Sequence, residues 1–485
     1  MRLSDLSDSA SDAVRSAGVV LADMATPSLR LGVTGLSRAG KTVFITSLVQ
    51  TLIDSSAAPG LPVGHLPRFR AFLEPQPDDD IPRFAYEQNL AMLQDEPVGW
   101  PESTRHISQL RLTLEWESAN WIRHVTGLPR RLHIDIVDYP GEWLLDLGLL
   151  DQDYQAWSQL MIDDAVHRQQ DADLTAWLTF ARSIKPDNAA DERIVMEGAD
   201  LFTRYLHSVK KTDRFARMIS PGRFLLPGEL DGSPLLTFFP LAIDADQPIR
   251  PGTLAALLAR RFESYKSQVV KPFFERHFKS LDRQIVLVDA LGALNGGAEA
   301  IDELETALHG ALNAFRPGRQ SWLASLLGRR IDRVMFAATK ADLIHTSNHL
   351  RLKMIMQVLL SRAVKRVQNA GAEFEVVALA SLRSTEDVNY RTGSDRIPCI
   401  RGRPQAGEKS GHKVFNGQEM AAIFPGDLPD DVHDIFDTDM FQAGSLQFVR
   451  FQPPSPEKTH RAHPAVWPHT GLDQVVRYLI GDRLT

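Results

Sequence analysis

A glycine-rich segment near the N-terminus constrains the fold of this chain more than any other feature. Residues Gly35–Thr42 read GLSRAGKT and fit the pattern G-x-x-x-x-G-K-[ST]. The apolar run LRLGVT precedes the segment, and the amphipathic run VFITSLVQTLI follows it. This order predicts a buried strand, a tight loop and a helix, which together place backbone N–H groups and a helix N-terminus against phosphate. The segment therefore indicates an α/β protein that binds a nucleoside triphosphate.

Each position of this loop has an expected role at the phosphates. Lys41 is expected to reach the β- and γ-phosphates, and Thr42 is expected to ligate Mg²⁺ through its hydroxyl. Arg38 lies inside the loop and is also a candidate catalytic cation, because a positive charge there would stabilise the developing phosphoryl charge. The remaining candidate nucleotide-binding residues of the loop are Ser37, Ala39, Gly40 and Val43.

A second motif, far downstream, distinguishes guanine from adenine. Thr339, Lys340 and Asp342 form T-K-x-D at the end of the apolar run VMFAAT. A carboxylate here accepts both the ring N–H and the exocyclic amine of guanine, whereas adenine offers no matching pair of donors. Ser381 and Leu382 follow the next apolar run, in a turn that is expected to contact the guanine oxygen through backbone N–H. The expected ligand is therefore GTP or GDP.

A D-x-x-G motif lies between these two elements. It ends the strand pattern RLHIDIVD, and Asp138 is expected to hold Mg²⁺ through a water while the Gly141 N–H contacts the γ-phosphate. Glu142 follows where a water-orienting Gln is common, so it is a candidate catalytic residue whose charge predicts slow turnover. Thr104 is the candidate for the threonine that closes on Mg²⁺. A second D-x-x-G, Asp289–Gly292, is assigned to the next core strand instead.

The distances between the motifs predict insertions in a Ras-like P-loop GTPase core, with a mostly parallel sheet and helices on both faces. A minimal core needs only about twenty to thirty residues between D-x-x-G and the next strand. Here residues 143–280 intervene, and they contain three helical runs. The predicted division is an N-terminal helix at 1–28, the core at 29–142 and 281–382, a large helical insertion at 143–280, a smaller β-rich insertion at 383–456 and a C-terminal helix at 457–485.

Two interpretations of the helical insertion remain open. It follows the D-x-x-G motif directly, so a nucleotide-dependent movement there would reposition the whole insertion. The alternative is a rigid helical decoration. Upstream, the proline- and acid-rich stretch at 59–101 predicts a long loop that leads to the first switch.

The composition favours a cytoplasmic protein. The formal net charge is −7, which argues against a general role in nucleic-acid binding. The single cysteine, Cys399, excludes an internal disulfide and fits a reducing compartment. No apolar stretch approaches the roughly twenty residues that a transmembrane helix needs. Membrane contact is therefore expected only through a peripheral surface or a partner.

The chain resembles the YcjX-like family of bacterial P-loop proteins. The resemblance rests on GVTGLSRAGKTVFITSL, IVDYPGEWLLDL, IVLVDAL, ATKAD and ALASLRST, and it extends from about Leu29 to Arg450. It implies a guanine-nucleotide-binding protein of stress-response context, with a Ras-like core and large helical insertions. The resemblance therefore specifies the ligand better than the cellular task.

Three functions are consistent with these observations. The first is a nucleotide-dependent switch that hydrolyses GTP slowly with Mg²⁺ and recruits an unknown protein partner through its helical insertion. The second is a nucleotide-binding scaffold with negligible turnover, which GDP or GTP stabilises by mass action. The third is an ATP-dependent phosphotransferase. The guanine-type Asp342 argues against the third.

Overall fold

The computed structural model describes most of the chain from residue 26 onward. It covers residues 26–35, 39–54, 60–95, 97–102, 106–117, 129–168, 171–212, 220–244, 247–278, 280–313, 331–369, 373–392, 395–437, 444–454 and 467–484. Residues 1–25 of the predicted N-terminal helix lie outside this part, as do Ser37, Arg38 and Thr104. Within the described ranges, no helix has both the length and the apolar character that crossing a membrane requires.

The central sheet has seven strands in the order β2-β3-β4-β1-β5-β6-β7. Their bounds are β1 Ser28–Gly35, β2 Arg70–Glu74, β3 Ser108–Trp116, β4 Arg130–Asp138, β5 Arg283–Val288, β6 Arg333–Ala338 and β7 Glu373–Ala378. Strands β4, β1, β5, β6 and β7 pair in parallel, and β3 and β2 continue the sheet as antiparallel edge strands. This arrangement confirms the predicted α/β class with a mostly parallel sheet.

Helices surround the sheet and fill the long connection between β4 and β5. Their bounds are α1 Lys41–Ile53, α2 Tyr86–Gln94, α3 Gly141–Leu145, α4 Tyr154–His167, α5 Ala172–Ser183, α6 Glu192–Thr212, α7 Gly222–Leu225, α8 Leu254–Tyr265, α9 Ala290–Gly296, α10 Ala298–Asn313, α11 His349–Asn369 and α12 Leu472–Leu479. After α8 the chain stays helical to Phe278, with π-type turns.

Alternate residues of β5 point into two different apolar cores. Ile285 and Leu287 pack with α1 and α12 on one face, and Val286 and Val288 pack with α9, α10 and α11 on the other. Successive side chains of a strand point to opposite faces, so a strand covered on both sides must be apolar throughout. This requirement explains the uninterrupted run IVLV.

The segment from α3 to Phe278, called here the inserted helices, has a core of its own. Aromatic side chains dominate it, and the rings of Trp157 and Phe262 stack with their centroids 4.9 Å apart. Val137 and Tyr139, at the end of β4, belong to the same core. The inserted helices therefore pack directly against the segment that carries the D-x-x-G motif.

One of the inserted helices has no counterpart among the predicted helical runs. Helix α5 begins after Asp171, whose Oδ1 accepts a hydrogen bond of 2.7 Å from the Leu174 N–H. Its buried residues, Leu174, Trp177, Leu178 and Ala181, recur at helical spacing. An Asp cap followed by this spacing is a signal for a helix that the sequence does contain.

The expectation of a long loop at 59–101 is wrong in part. Strand β2 lies within this stretch and pairs with β3, so it is part of the sheet. Helix α2 follows, with Tyr86 and Leu93 buried. Both elements are short, and β2 forms its backbone hydrogen bonds with the distant strand β3, so local composition does not reveal them.

Two small sheets follow β7, in agreement with the predicted β-rich insertion. One contains β8 Thr385–Thr392, β9 Asp395–Gly402 and β12 Ala421–Ile423, and the other is a hairpin of β10 Lys409–Ser410 and β11 Lys413–Val414. Strand β11 lies within the run HKVF. The run LQFVRF contributes a single bridge, between Phe451 and Pro404, and is not a strand.

Arg283, at the start of β5, connects the sheet to the C-terminal segment. Its side chain is fully buried, and both Nη atoms contact the Asp482 carboxylate at 2.6 Å. Nη1 also donates to the Leu479 carbonyl oxygen at 2.6 Å, and Nε donates to Asp332 at 3.1 Å. A buried guanidinium with this many acceptors leaves several of them unsatisfied when it is removed.

We expect Arg283→Met to lower the free energy of unfolding by about 2 kcal/mol, because it removes the buried donor to the Leu479 carbonyl oxygen and the partner of Asp482, a carboxylate that is itself 36% exposed. The measurement is the midpoint of urea unfolding. Arg401→Met is the control: its pair with Glu386 is about half exposed, so it should cost less than about 1 kcal/mol. Equal midpoints for the two variants would contradict this interpretation.

Candidate nucleotide-binding site

The sheet brings the predicted motifs together at one edge. Gly35 ends β1, Asp138 ends β4, Asp289 follows β5, and Thr339 follows β6. Because these strands are parallel, their carboxyl ends lie at the same edge, and β1 lies between β4 and β5. Connections leave on both sides of β1 at this point, which is where open α/β sheets bind ligands.

The loop after β1 leads into α1 through a left-handed glycine. Gly40 has φ 83° and precedes the helix, and its carbonyl oxygen accepts the first helical hydrogen bond, from the Phe44 N–H at 2.9 Å. Helix α1 has no acidic residue in its first turn, so the charge at its N-terminus stays positive. Lys41 is its first residue. This is the geometry that the sequence predicts for a phosphate site.

Gly35 allows the loop to start close to the neighbouring strand. A Cβ atom at this position would lie 2.9 Å from the Leu287 carbonyl oxygen and 3.1 Å from the Ala39 Cβ. These distances are below normal contact, so a larger residue would push the start of the loop away from β5.

The side chains next to Asp138 fit a hydrated Mg²⁺. Ser108 is directly opposite Asp138 in the β3–β4 pair, so the two side chains share one face of the sheet. The Ser108 Oγ is buried and makes no hydrogen bond to the described residues. Thr42 adds a hydroxyl, which donates to the Glu102 carbonyl oxygen at 3.2 Å. Hydroxyl and carboxylate oxygens are the ligands that Mg²⁺ prefers.

This donor set does not enclose a metal ion by itself. Among the described residues there is no group of three or more His, Cys, Asp or Glu side chains that could hold one. Mg²⁺ usually keeps several waters and shares the oxygens of a bound phosphate. A metal here would therefore depend on the nucleotide for part of its coordination.

The D-x-x-G segment is fixed among the inserted helices. The Tyr139 hydroxyl donates to the Gln284 Oε1 at 2.8 Å. Trp143 meets Phe273 edge to face at 5.4 Å, and the Arg223 guanidinium lies 3.3 Å from the centre of the Trp143 ring. The segment is therefore a packed part of the inserted helices and not a free surface loop.

Two lysines act on the charge of Glu142. The Lys210 Nζ, at the end of α6, donates to the Glu142 Oε1 at 2.8 Å. Burial raises the pKa of Glu142, but Lys210 and Lys41 outweigh it and hold the pKa below its usual value. The proposed water-orienting residue is thus an ionised carboxylate held by the inserted helices.

The predicted base-binding residues lie at the ends of β6 and β7. The Asp342 Oδ2 accepts hydrogen bonds from the Ser384 N–H at 2.8 Å and from the Ser384 Oγ at 2.7 Å. The Lys340 Nζ pairs with Asp289, whose Oδ1 also accepts from the Gly292 N–H at 3.0 Å. Asp289 therefore caps α9 and positions Lys340, and the second D-x-x-G motif is accounted for.

The turn after β7 is held by the segment that precedes α12. Ala380 and Thr470 exchange two backbone hydrogen bonds, of 3.0 and 2.8 Å, and the Arg383 N–H donates to the Pro468 carbonyl oxygen at 2.7 Å. Ser381 and Leu382 lie between these two points of attachment. The backbone of the turn is thereby fixed from both sides.

Leu382 and Val43 have packing roles in addition to their predicted positions at the nucleotide. The Leu382 side chain is buried with Leu93 and Trp467, and Val43 packs against this cluster. The cluster connects the helix that follows the loop to the turn after β7. Contacts from these two residues to a nucleotide stay predictions.

Sequence reasoning missed two residues of this site. Ser384, three residues after Ser381, holds the Asp342 carboxylate. The turn ASLRST contains both serines, so the sequence offers the residue type without showing which one faces Asp342. Lys210 carries no signal at all, because a lysine near a helix end is ordinarily a solvated side chain.

The sheet order, the glycine loop before α1 and the residues at the strand ends define a P-loop protein with a Ras-like α/β core. The family model described as YcjX-like family, DUF463, matches residues 29–484. The chain belongs to this family.

Two relatives agree with this membership. The protein named Ras-like GTPase YcjX from Escherichia coli (strain K12) is 35% identical over 468 residues, which cover 94% of this chain and 96% of that protein. The protein of the same name from Shewanella oneidensis (strain MR-1) is 32% identical over 479 residues, which cover 94% of each chain.

A second buried carboxylate, Asp146, lies just beyond Glu142. Its Oδ1 accepts from the Ser220 Oγ at 3.0 Å and from the Gly222 N–H at 2.6 Å, and its Oδ2 accepts from the Tyr265 hydroxyl at 2.5 Å. Burial raises the pKa of Asp146 from 3.8 to about 6, although these hydrogen bonds and Arg223 oppose the change. The folded protein therefore favours the protonated form of Asp146 more than the unfolded chain does.

We expect this carboxyl to make stability depend on pH. The raised pKa stabilises the folded protein fully below pH 3.8, the usual pKa of the group. This stabilisation is lost as the pH rises through about 6, where the carboxyl of the folded protein ionises. The loss is roughly 2–3 kcal/mol. Asp146→Asn cannot ionise, so the difference in urea midpoint between wild type and this variant should change between pH 4 and pH 7. A difference that is constant over this range would contradict the prediction.

Proposed function

We propose that this chain binds guanine nucleotides with Mg²⁺, hydrolyses GTP slowly and acts as a nucleotide-dependent switch. The observation that carries the proposal is the Asp342 carboxylate, which Ser384 holds at the same sheet edge as the loop before α1. The names of the two relatives support the same ligand.

Asp342 is suited to guanine because it keeps acceptor capacity. A carboxylate has about four lone-pair positions, and Ser384 uses two of them, both on Oδ2. The others remain for the ring N–H and the exocyclic amine of guanine. Lys340, restrained by Asp289, would lay its stem along the base.

The phosphate side of the site would use the residues that the sequence predicts. Lys41 and the first N–H groups of α1 would bind the β- and γ-phosphates, and the Gly141 N–H would contact the γ-phosphate. Thr42 and Asp138 would hold Mg²⁺, which supplies charge neutralisation at the phosphate oxygens. The catalytic contribution of Arg38 and the Mg²⁺ contact of Thr104 are part of the proposal.

Slow turnover follows from Glu142. A carboxylate beside the γ-phosphate can orient a water, but its charge opposes the charge that develops during transfer. Lys210 reduces this opposition without providing the neutral amide of a Gln. We therefore propose turnover well below that of a partner-stimulated enzyme.

The switch would act through α3. Gly141 begins this helix, and Trp143 within it packs on Phe273 and Arg223 of the inserted helices. A displacement of Gly141 by the γ-phosphate would move that contact and present the inserted helices differently to a protein partner. A cytoplasmic location and a role in stress response are also proposed, the second on the family resemblance alone.

A nucleotide-binding scaffold is the second candidate. The observation that favours it is the extent of the packing around α3, where Asp146 accepts from Ser220, Gly222 and Tyr265. A segment held in this way can stay fixed while GDP or GTP stabilises the fold by mass action.

We expect calorimetric titration in Mg²⁺ to show tight binding of GDP and weak binding of ATP. Asp342→Ala should lose about a hundredfold or more in GDP affinity, because it removes two charge-assisted hydrogen bonds. Ser384→Ala should lose about tenfold and Ser381→Ala less than about twofold, since only Ser384 holds the carboxylate. Equal binding of ATP and GDP would instead favour an ATPase or a phosphotransferase.

We expect slow multiple-turnover release of phosphate from GTP by the wild-type protein, and a loss of about a hundredfold or more in Lys41→Ala, which removes the cation at the γ-phosphate. Lys353→Met is the control, because Lys353 pairs with Glu375 on the far edge strand β7. GDP binding without any phosphate release would support the scaffold.

A further inference from the structure

The phosphate side of the site contains a negative charge that its proposed ligand would repel. Glu142 directly follows Gly141, the residue whose N–H is proposed to meet the γ-phosphate. The side chain is 11% exposed, so water screens its charge little. The lowered pKa of Glu142 means that the group is ionised at neutral pH.

A carboxylate at this position has two unfavourable effects on a triphosphate. It repels the γ-phosphate, which adds negative charge that GDP lacks. It also attracts Lys41, whose positive charge lowers the pKa of Glu142. An ion pair between Glu142 and Lys41 would withdraw the loop lysine from the phosphates.

Lys210 removes both effects. Its Nζ lies 2.8 Å from the Glu142 Oε1, and its side chain is 25% exposed. This second cation neutralises Glu142 and leaves Lys41 available to the ligand. Lys210 belongs to α6 of the inserted helices, far from the loop and the D-x-x-G motif in the sequence.

We propose that Lys210 is a positioning residue through which the inserted helices set the preference of the site for GTP over GDP. It acts on Glu142 and not on the nucleotide. The site binds GTP while Lys210 stays paired with Glu142. Any movement of α6 that separates the pair weakens the binding of GTP and leaves a preference for GDP. This inference rests on the proposed binding of guanine nucleotides.

The test compares the affinities of GDP and of a non-hydrolysable GTP analogue, measured by calorimetry in Mg²⁺ on the full chain. Lys210→Met should weaken binding of the analogue by about tenfold, since one uncompensated charge near the γ-phosphate has an effect of this order. GDP affinity should change by less than about twofold, which also verifies that the variant is folded. Lys210→Arg should restore analogue binding.

The Glu142→Gln variant separates charge balance from structural support. If Lys210 serves to neutralise Glu142, then Lys210→Met should have no selective effect on analogue binding in a Glu142→Gln background. Glu142→Gln alone should bind the analogue at least as well as the wild type. Lys353→Met is the matched control, because its ion pair with Glu375 has the same 2.8 Å separation and lies on β7.

The possible failures are distinct. A wild-type protein that binds neither nucleotide overturns the proposed function and this inference with it. Wild-type binding of both nucleotides, with equal losses for both in Lys210→Met, overturns only the role of Lys210. A selective loss of analogue binding that persists in the Glu142→Gln background, or that appears in Glu142→Gln alone, also overturns it.

Discussion

The parallel pairing of β1 with both β4 and β5 is the constraint on which the rest of the structure depends. It places Gly35, at the end of β1, between the end of β4 and the end of β5. Asp138, Asp289 and Thr339 reach the site because the strands that they end or follow pair in parallel in this sheet. The inserted helices leave from the same edge, so they begin next to the loop and not at a remote surface.

The contact between the site and the inserted helices is made of two kinds of interaction. Aromatic packing of Tyr139 and Trp143 places the D-x-x-G segment inside an apolar core. The Glu142–Lys210 pair then crosses from that segment to α6. Packing resists small displacements, whereas the energy of an ion pair falls more gradually with distance, so packing fixes the segment and the ion pair links its charge to α6.

Much of the fold was predictable from local patterns. The apolar runs that become β1, β4, β5, β6 and β7 are each followed by a recognisable motif, and β5 shows why: a strand covered on both faces must be apolar throughout. Strand β2 was missed because its pairing partner β3 is distant in the sequence, and helix α2 was missed because it is short and has only two buried residues. At the site, the T-K-x-D motif identifies Asp342. Which serine of the turn ASLRST holds its carboxylate depends on the direction of that turn, and the structure shows that it is Ser384. The position of Lys210 beside Glu142 depends on how the whole of α6 packs, which local sequence patterns do not show.

The backbone hydrogen bonds between Ala380 and Thr470 also affect the order in which the structure can form during synthesis. The turn after β7 is fixed by hydrogen bonds to Pro468 and Thr470, although the strands that surround the loop are complete far earlier in the sequence. During translation, the strands around the loop can therefore pair before the turn after β7 has its final partners. The turn that carries Ser381 and Leu382 gains these backbone hydrogen bonds only once residue 470 has been synthesised.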